Sequence, residues 1–296
     1  MGHPFQSGFV AIVGKPNVGK STLLNALVGE KVSIVSSKPE TTRDKVLGIR
    51  HLPGAQICFL DTPGIFEAKV LLTRQMVRRA KESFDDADEV VVLTHAFGFD
   101  EGDTRVFRLL PPVGVKPVLL VINKVDGVRK ETLLPLMETA QKAYPFREII
   151  PLSAKTGEQV DCLLQKIVEY LPEGVPYYPP EMITDRPADF TVRELIREKI
   201  IEATRQEIPY SVAVVVEETV ERPRGLLYVR GTVFVERESQ KGILIGNAGE
   251  MMKRIGERAR KDLETFFGRK VFLELWVKVL RQWRKDPEAL RRLGYL

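Results

Sequence analysis

Residues 9–28 read FVAIVGKPNVGKSTLLNALV. A short apolar run, Phe9 to Val13, ends at a glycine, and a helical pattern follows from Ser21 to Val28 with Leu23, Leu24 and Leu27 on one side. Between them Gly14-Lys15-Pro16-Asn17-Val18-Gly19-Lys20-Ser21 matches G-x-x-x-x-G-K-[ST] in the strand-to-helix context this motif requires. Its glycines let the backbone turn N–H groups toward phosphate oxygens. Lys20 offers a point charge to the β- and γ-phosphates, the Ser21 hydroxyl offers a ligand to Mg²⁺, and the helix N-terminus adds its dipole. The nucleotide contacts expected from this stretch are Gly14, Lys15, Pro16, Asn17, Val18, Gly19, Lys20, Ser21 and Thr22.

Outward from this loop, apolar runs at 57–60, 90–93, 118–122 and 149–152 alternate with helical patterns at about 70–84, 103–110, 131–143 and 158–170. Such alternation predicts an α/β domain with a mostly parallel sheet covered on both faces. A further strand at 45–52 is expected to form a hairpin with 56–61 through Pro53-Gly54. Three polar motifs fall just after strands, where an open α/β sheet places its ligands. In Asp61-Thr62-Pro63-Gly64 the carboxylate can hold Mg²⁺ through water and the Gly64 N–H can sense a γ-phosphate. In Asn123-Lys124-Val125-Asp126 the Asp126 carboxylate can accept two hydrogen bonds from guanine that adenine does not offer. A site built on such bonds rejects an analogue lacking them by roughly 10⁴–10⁵. Asn123 can bridge base and phosphate loop, and the Lys124 stem can lie along the base. In Ser153-Ala154-Lys155 the Ala154 N–H can meet the guanine O6.

The pattern breaks at 172–187, PEGVPYYPPEMITDRP, which is proline-rich without apolar periodicity and reads as an interdomain linker. The expected division is a nucleotide domain at 1–172, a linker at 173–188 and a second domain at 189–296. In the second domain a helix is expected at 192–203 and a strand at 210–218, followed by a turn at 222–225 and a strand at 226–237. A short helix ending near Gly246, a basic helix at about 249–267 and a strand at 271–279 complete a small α+β domain. The chain carries a net charge of +5, but residues 241–296 hold fourteen Lys and Arg against seven Asp and Glu, leaving −2 for the rest. A basic end on a near-neutral body points to a polyanionic partner. Lys253, Arg254, Arg258 and Lys261 recur at helical spacing and suit an RNA backbone groove. Trp276 and Trp283 could stack on bases, but a tryptophan at a strand position such as Trp276 is expected in the core. Cys58 and Cys162 form neither a disulfide framework nor a metal spacing, and three scattered histidines make no zinc site. With no secretory pattern and no membrane-spanning run, a cytoplasmic protein is expected.

These residues resemble the translation-factor-like GTPases and, within them, the Era family. In the first domain the resemblance rests on GKPNVGKS, ETTRD, DTPG, NKVD and SAK. In the second it rests on Val235–Gly242, Gly246-Asn247-Ala248-Gly249, Phe272–Lys278 and the segment Asp286–Tyr295. It implies a type II KH domain whose G-x-x-G turn clamps single-stranded nucleotides. It also implies GTP hydrolysis coupled to binding the 3′ end of 16S ribosomal RNA on the 30S precursor. RNA contacts are then expected from Lys241, Gly246, Asn247, Ala248, Gly249, Lys253, Arg254, Arg258 and Lys261. The family's switch threonine maps to Thr41-Thr42, with Thr42 favoured beside Ser21 and Asp61 as the Mg²⁺ set. Ile65 stands where Ras-like proteins carry a catalytic glutamine, and the resemblance implies that Asn17 holds a K⁺ ion in its stead. The catalytic group is accordingly Lys20, Thr42, Gly64 and Asn17. The turn lacks the family's usual lysine, and Thr94-His95 stands where relatives carry an aspartate. A monomer is expected. The competing readings are a GTPase at the cytoplasmic face of the inner membrane and an RNA-binding assembly factor with a non-hydrolysing nucleotide site.

Overall fold

The computed structural model describes residues 4–36, 38–205 and 207–296; Met1–His3, the first residues of the expected nucleotide domain, lie outside them. The chain begins with β1 (Gln6–Gly14), α1 (Lys20–Val28) and a hairpin of β2 (Val46–Leu52) and β3 (Ala55–Asp61). It continues with α2 (Leu71–Asp86), β4 (Glu89–His95), α3 (Glu101–Phe107), β5 (Val118–Asn123), α4 (Leu133–Ala143), β6 (Glu148–Pro151) and α5 (Val160–Tyr170). The six strands form one sheet in the order β2-β3-β1-β4-β5-β6, parallel except for β2, which pairs antiparallel with β3.

Continuous apolar strands are what a sheet covered on both faces demands. Val10–Val13, Val90–Leu93 and Leu119–Ile122 are fully buried. On one face Ala11, Val13, Val90, Val92, Leu120 and Ile122 pack with Ala80, Phe84, Val106 and Ala140 from the surrounding helices. On the other, α1 lies against β1, β3 and α5. Because β1 sits between β3 and β4, the strand order reverses at its carboxyl end, and the crevice there opens beside Gly14.

The proline-rich stretch does not leave the sheet at once. The buried Gln56 side chain accepts hydrogen bonds from the Tyr177 N–H (2.6 Å) and Tyr178 N–H (3.0 Å), and donates to the Tyr178 carbonyl (2.7 Å). Further along, the Ile49 N–H donates to the Ile183 carbonyl at 2.8 Å. The segment thereby covers the exposed edge of β2. The main body of the first compact unit ends at Asp185 and that of the second begins at Arg186.

The second unit contains α6 (Ala188–Ala203), α7 (Ile208–Ser211), β7 (Ala213–Arg222), β8 (Leu226–Val235), α8 (Glu238–Ile245), α9 (Glu250–Phe267), β9 (Val271–Val279) and α10 (Pro287–Arg292). Its sheet has the order β7-β8-β9, with β7 antiparallel and β9 parallel to the central β8. One face packs on helices through Ile196, Ile200, Val214, Val229, Val233, Ile255, Ala259 and Leu263. The strand expected at 210–218 is corrected: Pro209 near the start of α7 and the Ser211 hydroxyl bonded to the Glu207 carbonyl (3.0 Å) keep 208–211 helical. Pairing with β8 then carries the strand on to Arg222, past a bulge at 216–218.

Trp276, expected in the core, is 55% exposed because its strand position points away from the helices, whereas Trp283 is fully buried. The Trp283 ring stacks on Tyr295 with centroids 5.7 Å apart, and its indole N–H donates to the Ser211 carbonyl at 2.9 Å. Trp283→Ala should destabilise the second unit by about 3–5 kcal/mol, read as a lower urea midpoint with an unchanged slope.

Candidate functional site

The turn between β1 and α1 takes its shape from backbone conformations that few residues adopt. Gly19 has φ +103°, and a side chain there would collide with the Asn123 amide. The Lys20 ammonium, buried beneath the loop, donates to the carbonyls of Gly14 (3.1 Å) and Lys15 (3.0 Å). Burial lowers its pKa from 10.5 to about 8, with the Asp61 charge opposing that shift. Asp61 is fully buried, and desolvation raises its pKa against the opposing pull of Lys20 and its hydroxyl partners.

Three oxygen donors converge beside this lysine. The Ser21 hydroxyl donates to Asp61 Oδ2 at 2.9 Å and lies 2.9 Å from the Thr42 hydroxyl. The second Asp61 oxygen is buried with no hydrogen-bond partner among the described residues. The neighbouring threonine is engaged elsewhere: the Thr41 hydroxyl donates to the Lys38 carbonyl at 2.7 Å. Geometry therefore separates two residues that sequence left together. Ser33, which sequence reasoning missed, adds a hydrogen bond to Asp61 at 3.1 Å. A serine twelve residues past the loop, in no motif, gave no signal of this. Gly64 presses on the loop so closely that a Cβ there would sit 2.9 Å from the Pro16 nitrogen.

On the opposite flank, Asn123 donates to the Val18 carbonyl at 2.8 Å, which ties this segment to the phosphate loop as expected. Its oxygen accepts from the Ala154 N–H (2.9 Å) and the Lys124 N–H (2.8 Å). The Ala154 N–H, expected to face guanine, is thus partnered by Asn123 in this structure. The Ser153 hydroxyl donates to Asp126 Oδ1 at 2.7 Å and orients an otherwise exposed carboxylate. Lys124 reaches back to the Asn17 carbonyl at 2.6 Å, while Lys155 is exposed.

Lys15 enters the loop through its backbone, and its side chain is engaged elsewhere. Its ammonium lies 2.6 Å from both Asp100 and Asp103, which form the capping box of α3. His95, at the end of β4, lies against Phe97, and burial together with the nearby Lys15 lowers its pKa.

In the second unit the Gly246–Gly249 turn leads directly into α9. Gly249 has φ +81°, and Ala248 also adopts a left-handed conformation at φ +50°. A cleft of about 630 Å³ opens beside the turn, bordered by Lys241, Gly249, Lys253, Arg260, Leu275 and Trp276. Arg254 lines an adjoining cavity with Gly246 and Asn247. Arg258 and Lys261 are exposed on α9 but border neither cavity. Arg260, seven residues after Lys253 and so on the same helical face, borders the cleft as well. That phase relation was available in the sequence.

Known proteins share both halves. A family model described as 50S ribosome-binding GTPase matches residues 9–124, and a KH domain model matches residues 207–284. The fold is a P-loop GTPase domain followed by a KH domain. The chain is 48% identical over 293 residues to GTPase Era of Syntrophus aciditrophicus (strain SB), covering 98% of this chain and 95% of that protein. GTPase Era of Geotalea daltonii is 47% identical, covering 98% of each. A crystal structure of Era in complex with MgGDPNP and nucleotides 1506–1542 of 16S ribosomal RNA is 46% identical, with a TM-score of 0.95 over 98% of this chain and 99% of that one. An Aquifex aeolicus Era bound to GDP·AlF4⁻ matches equally well. The chain belongs to the GTPase Era family.

A lysine poised near pH 8 makes phosphate binding proton-linked. Bound phosphate favours the charged ammonium, so proton uptake with nucleotide should be large at about pH 8–9 and small at pH 7. Affinity should fall as pH rises past 8. Calorimetry in buffers of different ionisation enthalpy reads the uptake, and Lys20→Met should abolish it.

Proposed function

We propose that this protein is a GTP-hydrolysing, RNA-binding switch that acts in 30S ribosomal subunit assembly by binding the 3′ end of 16S ribosomal RNA. The observation that carries the catalytic half is the convergence of Ser21, Thr42 and Asp61 beside the buried ammonium of Lys20. The orphaned buried oxygen of Asp61 and the two hydroxyls suit a hard, oxygen-preferring cation. Ser21, Thr42 and Asp61 are the residues that would hold Mg²⁺, which neutralises charge on the β- and γ-phosphates when bound. The Era relative solved with MgGDPNP supports this reading.

Within the chain, residues 1–172 serve as the nucleotide domain, 173–188 as the connecting segment and 189–296 as the RNA-binding domain. Backbone N–H groups of 14–22, Pro16 excepted, cradle the phosphates, and Lys20 meets the β- and γ-oxygens once its own contacts to Gly14 and Lys15 are released. Gly64, packed on Pro16, is the residue whose N–H would sense the γ-phosphate. Asp126, steered by Ser153, accepts the guanine donors, and Asn123 fixes the distance between base and phosphate sites. Asn17 presents an exposed side chain on a left-handed backbone at φ +64°, and its amide oxygen is the group that would hold K⁺. In the second domain Lys241, the Gly246–Gly249 turn, Lys253 and Arg254 clamp a single strand, and Arg258 and Lys261, exposed on α9, meet its backbone.

The protein acts as a cytoplasmic monomer. Among the described residues no helix is long and apolar enough to cross a membrane. The basic C-terminal end is also the part that would meet anionic lipid at the inner membrane, and liposome flotation against RNA binding at matched salt separates the two partners.

Asp126→Asn leaves guanine without its double acceptor and should lower the affinity for GTP by roughly 10⁴, measured by nucleotide titration, with ATP binding no better than before. Turnover should be faster in K⁺ than in Na⁺ buffer and should lose that difference in Asn17→Ala; equal rates of phosphate release in the two salts would remove K⁺ from the account.

A further inference from the structure

The cleft beside the G-x-x-G turn is bordered by β9, an edge strand of its sheet. Alternation along this strand turns Val271, Leu273, Leu275 and Val277 toward the helices. It turns Phe272, Glu274, Trp276 and Lys278 to the opposite face. There two large rings remain in water, Phe272 at 54% and Trp276 at 55% exposure. Single exposed apolar side chains are ordinary. These two are held in an ordered arrangement, which is not.

Phe272 pairs with Tyr228 across the strands, and their rings stack within 16° of parallel at 6.0 Å. The Arg222 guanidinium lies over the Tyr228 ring at 3.9 Å. One carboxylate fixes both ends of the row: Glu274 accepts the Tyr228 hydroxyl at 2.5 Å and the Trp276 indole N–H at 2.8 Å. The side chain of Lys278, 59% exposed, stands two residues beyond Trp276 on the same face, in a loose ion pair with Glu217 at 4.0 Å. Fixed aromatic faces beside cations are the components of a stacking platform for single-stranded nucleic acid. Trp276 also borders the cleft, so the two surfaces are continuous.

We propose that the open face of this sheet is a base-stacking extension of the RNA site. A strand leaving the cleft crosses the β9 edge, and its next bases stack on Trp276 and then on Phe272, with phosphates near Lys278 and Arg222. The rings stand four residues apart on the strand, about 13 Å, so they serve different bases. Glu274 is a positioning residue for both. The inference rests on the cleft binding RNA, which the proposed function assigns to it.

Phe272 does not border the cleft and gives the discriminating variant. Wild-type protein, Phe272→Ala and Phe272→Tyr are each titrated with a single-stranded RNA tetranucleotide that fills the clamp and with a strand of about ten nucleotides. The wild type should bind the longer strand more tightly. Phe272→Ala should weaken the longer strand about tenfold, leave the tetranucleotide unchanged and keep its melting temperature, while Phe272→Tyr should restore binding. Equal binding of the longer strand by wild type and Phe272→Ala would overturn the extension while leaving the cleft intact. So would the absence of any gain from the longer strand in the wild type. If the wild type binds neither strand, the RNA reading itself fails and the extension with it.

Discussion

The ammonium of Lys20 is almost fully removed from water at the carboxyl end of β1, and the arrangement of the first unit follows from keeping it charged and available. Desolvation works against the charge, so carbonyl oxygens of its own loop and the nearby Asp61 carboxylate must support it. The loop in turn is held on several sides: Gly64 against Pro16, Asn123 at Val18, Lys124 at Asn17, and Lys15 anchored to the start of α3. A phosphate-binding loop fixed this way meets its ligand without having to order itself first, which is how preorganisation saves binding free energy.

The second unit solves a different problem with looser means. An edge strand leaves backbone groups unpaired, and here β9 borders a basic cleft in place of another strand. The Gly246–Gly249 turn lacks a lysine, so positive charge comes from Lys241, Lys253 and Arg260 along the cleft walls. Positive charge is thus spread along the groove and not concentrated at the turn, and each phosphate neutralised there would add to the salt dependence of strand binding.

Much of this was legible in the sequence because it depends on local pattern. Four strands of the first domain, β1, β3, β5 and β6, are apolar runs that end at a polar motif, so Gly14, Asp61, Asn123 and Ser153 announced both the sheet and the site along its edge. What stayed hidden depends on tertiary placement. The side chain of Lys15 went to α3 because a capping box there offers two carboxylates, and nothing near Lys15 in the chain signals that. Thr41 and Thr42 are adjacent and chemically alike, and only the hydrogen bond between Thr42 and Ser21 separates them. Trp276 was expected inside because a tryptophan on a strand usually packs there, but its register at an edge strand turns it outward. The proline-rich segment reads as a free connector until Gln56 is seen gripping it.

The central claim is that a guanine triphosphate seats on the loop around Lys20 with its base at Asp126. Equilibrium titration of the intact protein with fluorescently labelled GTP and Mg²⁺, competed by unlabelled GTP or ATP, tests it most directly. The account predicts saturable binding displaced by GTP and not by ATP at the same concentration. Absence of saturable binding by folded protein, or equal displacement by ATP, would contradict it.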